Sequence, residues 1–153
     1  MEIAIIEYEA GYAADFKTLN LEWLDQYGLT EADDLTVLNN PEKEILATGG
    51  CIYLAKCGDE IVGSCALIQE SPGKYELAKM GVKSMFRGRG ISRMLIDRCM
   101  MAAKEKGAKK VFLVSNSQLK VAISLYEKYG FTHVTDFTSH YANADVMMEK
   151  ILE

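Results

Sequence analysis

Residues Val82–Ile96 read V-K-S-M-F-R-G-R-G-I-S-R-M-L-I: the end of a strand, a basic glycine loop, then the start of an amphipathic helix. That order builds an anion site. Backbone N–H groups in the first turn of a helix have no partner within the helix, and the helix dipole adds partial positive charge there. Gly88 and Gly90 permit φ > 0 and remove Cβ atoms that would hinder a ligand approaching the backbone. Arg87, Arg89 and Arg93 bring three full charges to the same place. The ligand this chemistry describes is a phosphate or diphosphate.

Two common phosphate loops are excluded. A Walker loop needs G-x-x-x-x-G-K-[ST], and no Gly-Lys-Ser/Thr occurs. The dinucleotide fingerprint G-x-G-x-x-G would need glycine at Arg93, and it opens an early βαβ unit, whereas this loop lies past the middle of the chain.

Outward from the loop, the pattern predicts a strand over 3–8, helical territory over 11–27 and 31–39, and strands over 51–57 and 61–69 around a Gly58-Asp59-Glu60 turn. Ser71-Pro72-Gly73-Lys74 has the chemistry of a type II turn and feeds a strand over Tyr75–Val82. A helix over 90–106 puts Ile91, Leu95, Cys99 and Ala102 on one stripe. A strand over 110–115, a helix over 118–129 and a terminal hairpin of Phe131–Phe137 with Ala144–Leu152 complete the series. Antiparallel hairpins followed by β-α-β-α-β give an α/β (mixed α+β) chain, with a largely antiparallel sheet of about six or seven strands and helices on both faces.

The chain has 153 residues, 49% of them hydrophobic and only two proline, which fits one globular domain over 1–153. The N-terminus M-E-I-A-I-I-E lacks a basic n-region, and no apolar run reaches membrane-spanning length. Cys51, Cys57, Cys65 and Cys99 form no C-x-x-C pair and read as reduced thiols of a cytoplasmic protein. His133 and His140 do not stand at ligand spacing with them, so no metal is expected. A net charge of −5 argues against nucleic acid as the main partner. Residues 1–60 carry thirteen Asp/Glu against three Lys, while residues 79–110 carry ten Lys/Arg against two acids. One half suits a polyanion and the other a cationic amine; solvated helix faces that differ by chance are the alternative.

Arg87-Gly88-Arg89-Gly90-Ile91-Ser92 resembles the [Q/R]-x-x-G-x-[G/A] acetyl-CoA loop of the GNAT N-acetyltransferase superfamily, with Ser92 in place of the final Gly or Ala. Glu76–Val82 (E-L-A-K-M-G-V) looks like the family's fourth strand, and Leu125–Phe131 (L-Y-E-K-Y-G-F) like the segment on the helix after strand five. The element order resembles the GNAT fold over essentially the whole chain. Around Leu19–Leu24 (L-N-L-E-W-L) it is similar to small bacterial members, including acetyltransferase modules fused to MarR-type regulators.

The resemblance implies acetyl-CoA as cosubstrate, a small-molecule or peptide amine as acceptor, and direct transfer in a ternary complex. Neither nucleic acid nor membrane is an expected partner, and the chain is a monomer or homodimer. It also implies strands four and five splaying apart, so that Met80, Gly81 and Val82 offer backbone groups to the pantetheine arm and one N–H polarises the thioester carbonyl. Gly88 to Arg93 take the diphosphate.

Glu76 matches a general-base position; a solvent-facing carboxylate, or an ion-pair partner of Lys79 or Lys83, is the alternative. Even spacing puts Glu76, Ala78, Met80 and Val82 on one side of the strand. Tyr126 matches the group that meets the departing thiolate, although with Leu119, Ala122 and Ile123 it equally forms a core stripe. Where many members carry asparagine seven residues before this tyrosine, the chain has Leu119. Asn116 either takes over that cofactor contact or caps the helix region. Trp23, Tyr27, Tyr141 and Asn143 are candidate lining residues for the acceptor, with Trp23 and Tyr27 also fitting a core stripe. A non-catalytic acyl-CoA-binding or regulatory module is the alternative function.

Overall fold

The computed structural model describes residues 2–139 and 141–152. His140, weighed above as a metal ligand, lies outside the described residues. Strand β1 (Ile3–Glu7) is followed by a 3-10 turn (Ala10–Tyr12), helix α1 (Ala13–Gln26) and helix α2 (Ala32–Asn39). A π-helical segment (Glu42–Leu46) leads into β2 (Cys51–Cys57), β3 (Glu60–Ser71) and β4 (Lys74–Val82). Then come α3 (Ile91–Glu105), β5 (Lys110–Ser115), α4 (Lys120–Lys128), β6 (Thr132–Val134) and β7 (Val146–Ile151).

The strands form one sheet in the order β1-β2-β3-β4-β5-β7-β6. All neighbours are antiparallel except β4 and β5. The central strands β2 and β3 are buried on both faces, because a core lies on each side. On one side, α3 lays Ile91, Leu95, Cys99 and Ala102 against Tyr53, Leu67, Leu77 and Val82, with Tyr126 of α4 completing the cluster. On the other, Phe16 and Leu24 of α1 and Leu38 of α2 meet Ile52, Leu54 and Ala66. The four cysteines are free thiols. Among the described residues, no helix is long and apolar enough to cross a membrane.

The sheet departs from regularity where the site lies. The parallel β4–β5 ladder pairs Lys74 with Lys110, Tyr75 with Val111 and Glu76 with Phe112, and stops there. Beyond Glu76 the two strands splay, as the family resemblance implies. On its other edge β4 bulges: Ser64 pairs with Gly81 but Ala66 with Ala78, leaving Lys79 and Met80 opposite one residue of β3. Lys79 takes the left-handed conformation at φ 52°.

The extra residue reverses side-chain alternation, which corrects the one-sided reading of Glu76, Ala78, Met80 and Val82. Met80 and Val82 turn to the α3 core. Glu76 stands beside Ile68, and Ala78 beside Ala66, on the α1/α2 face.

Two further elements are shorter than the sequence pattern suggests. Strand β6 holds three residues, and Tyr141, Asn143 and Ala144 of the segment between it and β7 line the splayed region instead of pairing in the sheet. Helix α4 starts at Lys120, since Asn116 folds the preceding residues into a turn: its side-chain oxygen accepts from the Gln118 N–H at 2.9 Å, and its carbonyl from the Leu119 N–H.

Candidate active site

The splay opens a cavity of about 810 Å³ between β4 and β5. Its floor is Leu77–Val82; one wall is Gly88, Gly90 and the first turn of α3; another is Val114–Asn116 with α4; the far end is α1, α2 and Tyr141. Of the residues singled out from the sequence, it collects Glu76, Tyr126, Met80, Gly81, Val82, Arg87, Gly88, Gly90, Ile91, Ser92, Arg93, Asn116, Leu119, Trp23, Tyr27, Tyr141 and Asn143. Arg89 stands apart. Its guanidinium stacks on the Phe86 ring at 5.0 Å and faces a separate cleft with Asp15, Asp59 and Glu60.

At the cofactor-like end, Gly90 is the N-cap of α3 at φ 77°, and no side chain caps the helix. Gly88 has φ 78°, and a Cβ on either glycine would meet nothing within 4 Å. Left-handed backbone, rather than crowding within the protein, therefore demands glycine at both. Among the described residues no side chain caps the first-turn amides, which border the cavity. Arg87 Nε donates to the Val82 carbonyl at 3.3 Å, tying the loop to the strand end. Lys120 and Lys128 of α4 also line this end.

At the opposite end the charges are acidic, with Glu31, Asp34 and Glu76 around one lysine. Lys79 is 8% exposed, and its Nζ lies 2.5 Å from Asp34 Oδ1 and 3.4 Å from the Tyr141 hydroxyl. Asp34 Oδ2 accepts the Glu31 N–H at 2.9 Å. The Glu31 carboxylate in turn accepts the Ala142 and Asn143 N–H groups at 2.8 and 2.9 Å. Asn116 Nδ2 donates to the Asn143 carbonyl at 2.7 Å, and Asp145 accepts from the Ser117 amide and hydroxyl. Asn116 thus shapes the loop and lines the cavity together, and it does not cap α4. Residues 141–145 span the site, tied to α2 on one side and to the β5–α4 loop on the other. Burial, followed by the nearby Glu76 and Asp34 carboxylates, pushes the Tyr141 hydroxyl pKa far up.

A buried polar chain fixes the bulge beneath. Trp23 Nε1 donates to Asn20 Oδ1 at 3.0 Å, Asn20 Nδ2 to Ser64 Oγ at 3.0 Å, and Ser64 Oγ to the Lys79 carbonyl at 2.7 Å. Trp23 packs against the strand only because position 81 is glycine: a Cβ there would lie 2.4 Å from the indole. On the other face Tyr126 is buried edge-on against Phe131, and burial holds its hydroxyl protonated far above its usual range.

The acetyltransferase (GNAT) domain model matches residues 48–133, more than half of the chain. The uncharacterized N-acetyltransferase YjgM of Escherichia coli is 31% identical over 116 residues, covering 71% of this chain and 70% of that protein. The chain belongs to the GNAT acetyltransferase family. A GNAT-family acetyltransferase structure from Staphylococcus aureus Mu50 superposes with a TM-score of 0.92 at 25% identity, covering 99% of this chain and 100% of the other. The PaiA N-acetyltransferase of Thermoplasma acidophilum, solved in complex with coenzyme A, shares the GNAT fold at a TM-score of 0.77 and 19% identity, over 99% of this chain and 100% of that one. Other curated relatives are longer: the chain spans 44% and 26% of the length of two of them.

The Lys79–Asp34 pair, the Asn20–Ser64 chain and the Glu31 tether are not readable from sequence. Each joins residues at least 44 positions apart. The one local signal was Asp34 three residues after Glu31, at the start of a helix.

Proposed function

We propose that the chain is an acetyl-CoA-dependent N-acetyltransferase that moves the acetyl group to a primary amine by direct transfer in a ternary complex. The observation that carries this reading is the β4–β5 ladder ending at Glu76, with the gap opening onto the uncapped start of α3. A polar arm could pair with the freed edge of β4 while its diphosphate sits on the α3 amides, and the dimensions and charges of the cavity fit both. Bound acetyl-CoA supplies an activated thioester, and the remaining steps fall to the chain.

The amides of Gly88 to Arg93 hold the diphosphate, with Arg87 and Arg93 adding charge. The backbone of Met80 to Val82, whose outer edge no strand covers, orients the thioester, and an N–H there stabilises negative charge developing on its carbonyl oxygen. An alkyl amine is protonated at neutral pH, with a pKa near 10. Glu76 takes the proton, directly or through water, as the new C–N bond forms and the C–S bond breaks.

Tyr126 lines the cavity from the α3 side. Its hydroxyl pKa stands well above the thiol value of about 8.5, so complete proton transfer to the leaving sulfur would run uphill. Tyr126 therefore acts by donating a hydrogen bond to the departing thiolate, which takes its proton from solvent.

The test is thiol release from acetyl-CoA against a panel of amino acids, polyamines, aminoglycosides and short peptides. Release with the wild type, depressed in Glu76→Gln most strongly at low pH where the amine is charged, is the expected result. Tight coenzyme A binding with no release across the panel would replace the enzyme reading with an acyl-CoA-binding module. An unchanged pH–rate profile in Glu76→Gln would remove the base assignment.

A further inference from the structure

We propose that Lys79 selects the acceptor, donating a hydrogen bond to an uncharged carbonyl oxygen carried a few bonds from the reacting amine. This role rests on the acetyl-transfer reading, under which the bound amine is the acceptor.

Lys79 is the only non-glycine with positive φ among the described residues. That conformation is strained for an L-residue, and glycine would adopt it freely. What lysine adds is an ammonium group at the floor of the cavity, on the same face of β4 as Glu76. An ammonium has three protons to donate. Asp34 takes one and the Tyr141 hydroxyl, at 3.4 Å, another. The third has no acceptor among the described residues, and the residue lines the cavity. The Tyr141 ring, with its centroid 5.1 Å from the ammonium nitrogen, covers the pair.

The acidic neighbours decide what kind of oxygen fits. Asp34 is committed to Lys79 and to the Glu31 amide, so the pair is neutral as a unit and works as a donor, not as a net cation. Glu31 and Glu76 stand around it as further carboxylates. An acceptor bringing its own carboxylate meets repulsion there, whereas a neutral carbonyl meets a spare N–H. An α-amino amide, free or at the start of a peptide, has its amine and carbonyl at that separation.

The test uses the full chain saturated with coenzyme A, which lacks the acetyl group and so cannot turn over. Calorimetry compares glycinamide, ethylamine and glycine below the pKa of all three amines. Glycinamide is expected to bind at least tenfold more tightly than ethylamine, the range of a hydrogen bond to a charged group, and glycine more weakly than glycinamide. The double variant Lys79→Met/Asp34→Asn, which leaves the floor uncharged, should bring glycinamide and ethylamine to within about twofold of each other.

Equal binding of glycinamide and ethylamine by the wild type overturns the proposal, as does glycine binding best or none of the three binding. That comparison needs no variant to fold. A folded double variant that keeps the preference overturns it too. A glycine-initiated peptide amide binding tighter than glycinamide assigns the carbonyl to a polypeptide, and equal binding to a small amide. Thiol release with the same amines is read separately, so selective binding without release would sink the transfer reading and leave this recognition standing.

Discussion

Replacing Asp34 by Asn isolates the charge of the buried pair. Asparagine keeps an oxygen for the Glu31 amide at 2.9 Å, so the start of α2 retains its hydrogen bond. What is lost is the negative partner of an ammonium whose side chain is 6% exposed, against 5% for Asp34. Removing one member of such a pair costs about 3–5 kcal/mol, because the other stays buried and uncompensated. For a chain of this size each kcal/mol moves Tm by about 2–4 °C. The single variant should therefore melt about 6–20 °C below the wild type. Adding Lys79→Met removes the stranded charge and should recover most of that loss, although the strain of a non-glycine at φ 52° persists in both. Urea unfolding of the wild type, both single variants and the double variant gives the coupling energy. A cost under about 1 kcal/mol for Asp34→Asn, or a double variant no more stable than the single one, would mean that water in the cavity screens the pair and that no charge is stranded.

The arginines separate by position. Arg87→Ala and Arg93→Ala should each weaken coenzyme A binding, more so at low salt, whereas Arg89→Ala, stacked on Phe86 outside the cavity, should leave it within twofold; calorimetry at two ionic strengths decides. Tyr126→Phe should lower kcat by less than about tenfold and leave the pH profile unchanged, since the hydroxyl gives a hydrogen bond and not a proton; an alkaline limb lost in the variant would contradict this. Burial raises the Cys51 thiol to about 11 and the Tyr53 and Tyr129 hydroxyls to about 12. Groups whose pKa is raised by folding favour the native state below their unfolded values, near 8.5 and 10, and lose that contribution as pH climbs through 11 to 12. Stability should thus hold to about pH 9 and fall above it, with part of the tyrosinate absorbance appearing only at the unfolding step; a titration of all eight tyrosines centred near pH 10 in folded protein would count against it.

The proposed cofactor end is local in sequence. One continuous stretch, Val82–Ile96, holds the strand end, the two left-handed glycines and the helix start, and the groups proposed to bind are backbone amides, so neighbours in sequence are neighbours along this wall of the cavity. The hydrophobic periods of α1, α2 and α3 placed the helices for the same reason. The acceptor end was not legible, because long-range pairing sets its geometry. A bulge is invisible in a strand that alternates as E-L-A-K-M-G-V does, and one extra residue was enough to send Met80 and Val82 to the other face. What fixes the bulge is Ser64 holding the Lys79 carbonyl from the neighbouring strand, and Asn20 holding Ser64 from α1.

A serine and an asparagine in apolar elements look like weak points in a pattern until the fold brings them to the same carbonyl. The same holds for the charges. The acidic excess of residues 1–60 pointed toward a cationic acceptor, yet inside the cavity Asp34 meets Lys79 and Glu31 meets the Ala142 and Asn143 amides, so two of those acids are already used within the chain. Glu76 and Lys79 then line the cavity from one strand. Under the acceptor reading proposed above, a site organised in that way would read an amine together with a neighbouring dipole, which a sum of charges along the sequence does not reveal.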